Sequence, residues 1–145
     1  MNDRTRQPAY ALHALVAMLD RYADEILPPL GLTYSRYLTL LTIERLGEAT
    51  QRAVAEAVGV TEPAASRTIR ALQAAGLVAT DANLGAGNRR AVRLTGEGQR
   101  LVDRAADQLE NAFRSALDAA GLTPDDVLAV TDPLIKTLAR GGEAS

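Results

Sequence analysis

The feature that most restricts the possible folds is a run of helix-start and helix-end signals in the middle of the chain. Thr50 and Thr61 favour the N-terminal cap of a helix, and apolar residues with helical spacing follow each of them. Gly59 and Gly76 stand where the two patterns stop, and glycine is well suited to the C-terminal end of a helix. The sequence therefore predicts a short helix over 51–58, a tight turn, and a longer helix from 61 to about 75.

Two strand patterns follow the longer helix. Residues 77–80 and 90–94 contain apolar and β-branched residues, and a segment rich in glycine and asparagine separates them. This pattern predicts a β-hairpin. A short helix, a tight turn, a longer helix and a hairpin, in that order, form a winged helix-turn-helix.

Helical patterns flank this core on both sides. They cover 8–27, a segment that Thr33 caps and Gly47 ends, 96–120, and a last helix that begins at Pro124. The helix after Thr33 carries the apolar residues Tyr37, Leu38, Leu41, Ile43 and Leu46. The tail from Gly141 onward is expected to be loose. The predicted fold is mainly α with a small β-hairpin, a winged helix-turn-helix core between N- and C-terminal dimerisation helices.

Composition excludes several classes of protein. The chain has no cysteine, so disulfides and thiolate metal sites are excluded, and its only histidine, His13, cannot build a histidine metal cluster. No nucleophile with a base and no carboxylate pair stands out, so we expect no enzyme, no cofactor and no metal site. Since neither a signal-peptide pattern nor an apolar run of membrane-spanning length is found, a cytoplasmic protein without a membrane partner is expected.

The charge pattern is more informative than the net charge of −2. Residues 61–94 hold five arginines against two acidic residues, whereas 95–145 hold five basic residues against nine acidic ones. A local basic segment, and not the total charge, determines whether a surface can bind phosphates. The basic segment coincides with the longer helix and the hairpin.

This coincidence predicts contacts with DNA. In a helix-turn-helix, the N-terminal residues of the second helix face base edges in the major groove. The residues expected there are Thr61, Glu62, Ala64, Ala65, Ser66, Arg67 and Arg70, with Ile69, Leu72 and Ala75 on the inward side. Further expected DNA contacts are Gln51 and Arg52 in the first helix, and Asn88, Arg89 and Arg90 at the end of the hairpin loop. The alternative is a pair of packed helices followed by a solvated turn.

The flanking helices indicate a dimer. Residues 8–27, 96–120 and 124–139 each carry an apolar stripe, and the core between them is too small to cover all three. A symmetric partner is the common way to bury such stripes. The alternative is a helical bundle within one chain.

Together these features resemble the MarR family of bacterial transcription regulators. The stretches that carry the resemblance are Leu32-Thr33, Ala53 through Val78, and Arg89 through Gly98. The resemblance implies a single domain over 1–145, with a winged-helix lobe at 33–95 and a dimerisation region at 8–30 and 96–140. It also implies a homodimeric repressor that binds a pseudo-palindromic operator in double-stranded DNA.

The chain departs from the family at the wing. Asn88 stands nearest the position where the family usually has an aspartate, and Ala79-Thr80-Asp81 stands where basic residues often follow the Gly-Leu-Val stretch. With the acidic total charge, these departures support an alternative function, a winged-helix protein-interaction module that does not bind DNA.

The resemblance further implies a small-molecule effector that releases the protein from its operator. Effectors of the family bind between the dimerisation helices and the DNA-binding lobe. His13, Tyr34 and Tyr37, with Arg36 beside them, are the residues expected to line such a pocket. The alternative is that these side chains only contribute to packing or lie on the surface.

Overall fold

The chain is mainly helical and contains one small sheet, which confirms the predicted fold class. The structure, a computed structural model, describes residues 3–81 and 91–142. Its elements are α1 (Pro8–Ile26), α2 (Tyr34–Leu46), β1 (Ala49–Thr50), α3 (Gln51–Val58), α4 (Glu62–Ala74), β2 (Val78–Asp81), β3 (Ala91–Leu94), α5 (Gly96–Ala120) and α6 (Pro124–Gly142). Short 3₁₀ turns at Asp3–Arg6 and Pro28–Leu30 lie on either side of α1.

The chain divides into two compact units, Met1–Asp107 and Gln108–Ser145, and the boundary between them lies inside α5. The first unit holds α1 to α4, the sheet and the start of α5, and the second holds the rest of α5 and α6. None of the helices in the two described ranges combines the length and hydropathy needed to cross a membrane.

The sheet has one more strand than the hairpin that the sequence predicts. Its order is β1-β3-β2, and both pairings are antiparallel. The added strand β1 pairs Ala49 with Val92 and Thr50 with Ala91. A two-residue strand has no periodicity of its own, and β1 forms only because β3 supplies the backbone partners.

The core of the first unit is drawn from nearly every element around the sheet. Its largest fully buried side chains are Leu27, Leu40, Ile43, Val54, Ile69, Leu72, Val92 and Val102. The apolar residues of α2 differ in burial, because Leu40 is fully buried while Leu46 is 38% exposed. The buried face follows Tyr37, Leu40 and Ile43, and it includes Thr39, whose hydroxyl donates to the Ser35 carbonyl at 2.9 Å.

The second unit ends in a longer helix than expected. Thr123 Oγ1 accepts the Asp126 N–H at 3.2 Å, and Asp126 Oδ2 accepts the Thr123 N–H at 2.8 Å, so the two residues cap α6 reciprocally. The helix continues to Gly142, past the glycine at which a loose tail was expected to begin. That part of the expectation was wrong, because glycine weakens a helix but does not forbid it at an end.

Candidate nucleic-acid interface

The helix-turn-helix is held by local hydrogen bonds at each of its corners. Thr50 Oγ1 accepts the Ala53 N–H at 3.1 Å and begins α3. Gly59 then adopts a φ of +83°, which a residue with a side chain rarely adopts, and the Val60 N–H returns to the Ala55 carbonyl at 3.0 Å. The chain thereby ends α3 and enters α4 within three residues.

Helix α4 begins at Thr61, as the sequence predicts. Thr61 Oγ1 accepts the Ala64 N–H at 3.3 Å, and Pro63 occupies a first-turn position where a missing N–H has no helical partner to lose. Glu62 places a carboxylate in the first turn, which complements the positive end of the helix dipole. The local sequence thus determines where the helix presents its N-terminus.

The two faces of α4 differ sharply in burial. Ala65, Ile69 and Leu72 are buried. The opposite side exposes Glu62, Arg67 and Arg70, with Ala64 and Ser66 half-buried between the two faces. Two expectations are therefore wrong: Ala65 lies in the core and cannot face a base edge, and Ala75 is exposed and does not point inward.

The two arginines of α4, Arg67 and Arg70, form no ion pair with the described residues. Arg70 Nε donates to the Ser66 carbonyl at 3.5 Å, along the same face of the helix. Among the ion pairs within residues 3–81 and 91–142, none includes Arg67 or Arg70. Both guanidinium groups therefore have donors available for a ligand outside the chain.

The first helix of the motif places its two candidate residues differently. Gln51 is half-buried at the start of α3, and Arg52 is exposed. Arg52 Nε lies 3.3 Å from Glu56 Oε1, one turn further along α3. The side chain of Arg52 is thus already engaged with a carboxylate.

The wing is described only at its base. Asn88, Arg89 and Arg90 lie outside the described residues, so their contacts with DNA stay a prediction. At the base, Arg93 Nε of β3 donates to Asp81 Oδ2 of β2 at 3.0 Å. Sequence reasoning missed this pair, because the two residues are 12 positions apart and only the strand register brings them together.

A second set of long-range contacts ties α4 to the wing and to α5. The Thr95 N–H donates to the Leu77 carbonyl at 3.0 Å, and Thr95 Oγ1 donates to the Gly76 carbonyl at 2.6 Å. The same hydroxyl oxygen accepts the Gly98 N–H at 3.1 Å. One threonine therefore joins the end of α4, the start of β2 and the first turn of α5.

The three candidate effector residues lie in different surroundings. His13 is exposed on α1, Tyr34 is half-buried at the start of α2, and Tyr37 is buried on α2. Burial, and then the charge and hydrogen-bonding capacity of the nearby Asp20 carboxylate, raise the pKa of Tyr34 above its ordinary value. Tyr34 of α2 thus lies near Asp20 of α1.

Large apolar side chains are exposed on two helices, each described here by itself. In α1 these are Tyr10, Leu12, Leu15, Val16, Met18 and Tyr22, at 41–56% exposure. In α6 they are Leu128, Val130, Leu134, Ile135 and Leu138, and Leu138 reaches 73%. Contiguous exposed apolar surface of this kind usually marks an interaction site.

Comparison with known proteins agrees with this architecture. The model of the MarR family matches residues 30–87, which contain α2 to α4 and β2. A cysteine-to-serine mutant of MarR from E. coli superposes with a TM-score of 0.75 at 23% identity, covering 91% of this chain and 96% of that one.

Two further solved structures were determined with ligands. The E. coli MarR mutant complexed with operator DNA gives a TM-score of 0.70 at 22% identity, over 90% of this chain and 92% of that one. NadR in complex with 4-hydroxyphenylacetate gives a TM-score of 0.74 at 16% sequence identity, over 94% of this chain and 96% of that one. At sequence identities of 16%, 22% and 23%, these similarities show a shared fold and nothing further.

Proposed function

We infer that this chain, whose residues 30–87 belong to the MarR family, is a homodimeric transcription regulator that binds specific DNA sequences and acts as a repressor. The observation that carries this inference is the exposed face of α4. It combines two arginines that pair with no acidic side chain in the described part of the chain, small residues and a capped N-terminus on an element whose other face is buried in the core. Such a face can enter a major groove without repacking the protein.

The residues of α4 have distinct proposed roles. Arg67 and Arg70 lie on one face, where a planar guanidinium can bind the O6 and N7 acceptors of guanine or a phosphate. The short side chains of Ala64 and Ser66 let the helix approach the base edges. The Thr61 hydroxyl accepts a backbone N–H, and its own proton remains available to a phosphate oxygen.

Contacts outside α4 position the lobe on the duplex. Gln51 and Arg52 at the start of α3 are proposed to bind the phosphate backbone. The hairpin loop, with Asn88, Arg89 and Arg90, is proposed to reach the minor groove, whose negative potential attracts arginine where the groove is narrow. These contacts add affinity, and α4 supplies the choice of sequence.

A homodimer follows from the exposed apolar faces of α1 and α6. The proposed dimerisation region is 8–30 and 96–140, outside the winged-helix lobe at 33–95. A two-fold dimer presents two copies of α4, so its operator is a pseudo-palindrome with half-sites about one helical turn apart.

A small ligand is proposed to control release from DNA. The support is the Tyr34–Asp20 contact between α2 and α1, and the fold shared with NadR, which was solved with 4-hydroxyphenylacetate. A ligand at His13, Tyr34 and Tyr37 regulates only if it binds the DNA-competent arrangement and the alternative with different affinity. A thermal-shift screen of small aromatic acids, followed by DNA binding with each hit, tests this. Tyr37→Ala should abolish the response, and an unchanged response would place the ligand elsewhere.

The experiment that tests the function is a binding titration with duplexes tiled across the region upstream of the protein's own gene. Arg67→Ala should weaken specific binding by about 1–3 kcal/mol if Arg67 reads a base. Arg6→Ala, which removes an exposed arginine of the 3₁₀ turn before α1, outside the proposed dimerisation region, is the control for total charge. Equal loss on specific and random duplexes would assign Arg67 to phosphate only. If the folded protein binds no duplex, the protein-interaction module becomes the better account.

A further inference from the structure

Two ion pairs join side chains within the described residues, and both engage an arginine of the winged-helix lobe. They are Arg52–Glu56 in α3 and Arg93–Asp81 at the base of the wing. Within the same ranges, Arg67 and Arg70 of α4 have no such partner. These four arginines thus fall into two groups, one without an ion pair to a described residue and one held by a carboxylate of the same chain.

The Arg93–Asp81 pair is built by the strand register. Ala79 lies opposite Arg93 and Asp81 lies opposite Ala91, so Asp81 and Arg93 are diagonal neighbours on one face of the sheet. The contact runs from Arg93 Nε to Asp81 Oδ2 at 3.0 Å. It leaves the two terminal nitrogens of the guanidinium outside this hydrogen bond, and both side chains are 46% exposed.

The chemistry of the pair resembles that of an arginine bound to a phosphate. A carboxylate and a phosphate oxygen accept the same charge-assisted hydrogen bonds. While Asp81 holds Arg93, the pair carries no net charge, so it neutralises no phosphate and releases no counterion. Asp81 also stands where the sequence departs from the basic residues often found after Gly-Leu-Val.

We propose that Arg93 is a further DNA-backbone contact and that Asp81 is its intramolecular competitor, which lowers the affinity of the lobe for any duplex. The proposal rests on the proposed function of DNA binding. Because the competition concerns phosphate contacts, Asp81 sets the overall affinity and its salt dependence. The choice of sequence stays with α4.

The test measures affinity for a random 30-base-pair duplex at several salt concentrations. Asp81→Asn removes the negative charge and keeps the size of the side chain. In a dimer two cations are freed, so the slope of log K against log salt should steepen by about 1.8. The affinity ratio of variant to wild type should then grow about 12-fold when salt is lowered from about 0.2 M to about 0.05 M.

Two further variants separate a local contact from a general charge effect. In Asp81→Asn/Arg93→Ala the gain should disappear, because the freed cation is gone. Asp3→Asn changes the total charge equally at an exposed residue of the 3₁₀ turn before α1, outside the sheet and the proposed dimerisation region, and should leave the slope unchanged. An unchanged slope for Asp81→Asn, a gain that survives loss of Arg93, or an equal gain in Asp3→Asn would overturn the proposal.

The same data distinguish this proposal from the proposed function. If wild type binds duplex DNA and Asp81→Asn binds it no better, only the competitor role fails. If neither protein binds a random or an upstream duplex, both proposals fail. If Asp81→Asn binds and wild type does not, the competitor role is supported in its strongest form. Equal urea-unfolding midpoints for all variants exclude a folding effect.

Discussion

Replacing Gly98 by alanine tests the junction at which α5 begins. A Cβ at Gly98 would overlap the Leu77 carbonyl oxygen and lie 3.0 Å from the Leu77 carbonyl carbon. This neighbour is backbone, and the same carbonyl accepts the Thr95 N–H at 3.0 Å. The strain therefore cannot be relieved by rotating a side chain, and α5 or the turn after α4 must shift.

The cost has three parts. Overpacking a tight backbone contact costs about 1–3 kcal/mol. The shift also weakens the hydrogen bonds from Thr95 to Leu77 and to Gly76, each about 0.5–1.5 kcal/mol. Alanine recovers at most about 1 kcal/mol through its better helix propensity. We expect Gly98→Ala to lower the free energy of unfolding by about 2–4 kcal/mol.

The assay is urea unfolding followed by far-ultraviolet circular dichroism. Gly96→Ala is the matched control in the same helix turn, because a Cβ there meets only the flexible end of Arg100, at 3.4 Å. Gly96→Ala should leave stability within about 0.5 kcal/mol of wild type. If Gly98→Ala is equally harmless, the close approach of α5 to Leu77 is wrong.

Four other perturbations test the α4 cap, the surroundings of Tyr34, the apolar face of α6 and the proposed role of Arg89. Thr61→Ala removes the N-terminal cap of α4 and should lower the free energy of unfolding, measured with urea, by about 1 kcal/mol. It should also weaken DNA binding, and an unchanged stability would argue against the cap. The raised pKa of Tyr34 means that the folded state holds the phenol proton more tightly than the unfolded state does. The contribution of Tyr34 to the free energy of unfolding is therefore complete below pH 10 and is lost as the pH rises above that value. Tyr34→Phe should therefore cost about 0.5–1.5 kcal/mol at pH 7 and much less at pH 11, whereas an equal loss at both pH values would refute the hydrogen bond to Asp20. Leu138→Asp should convert a species of twice the 15.4 kDa chain mass to a monomer in sedimentation equilibrium, and a dimer of unchanged affinity would exclude this face of α6. Arg89→Ala should make the salt slope of DNA binding shallower by about 2, and an unchanged slope would mean that Arg89 does not touch DNA.

The helix boundaries could be predicted because their causes are local. A cap such as Thr50 or Thr61 acts on a backbone N–H three residues later, and Gly59 acts on its own φ angle. The inward face of α2 could not be predicted as well. Leu40 and Leu46 have the same hydrophobicity, and which of them is buried depends on where α2 lies in the first unit.

The candidate interface could be predicted along α4 but not at the wing base. The exposed arginines Arg67 and Arg70 follow from helical periodicity once the buried face is known. Asp81 and Arg93 meet only through the register of β2 and β3, and Thr95 meets Gly76 only when the sheet and α4 are both in place. No single-residue pattern encodes such pairings, since the partners are 12 and 19 positions apart in the sequence.

A two-fold dimer that reads DNA through two copies of α4 should leave a paired footprint. We would measure this by hydroxyl-radical footprinting of the region upstream of the protein's own gene. We expect two protected half-sites of related inverted sequence, with centres about 10 base pairs apart, and loss of both in Arg67→Ala. A single half-site, protection spread evenly over the fragment, or no protection by the folded protein would contradict it.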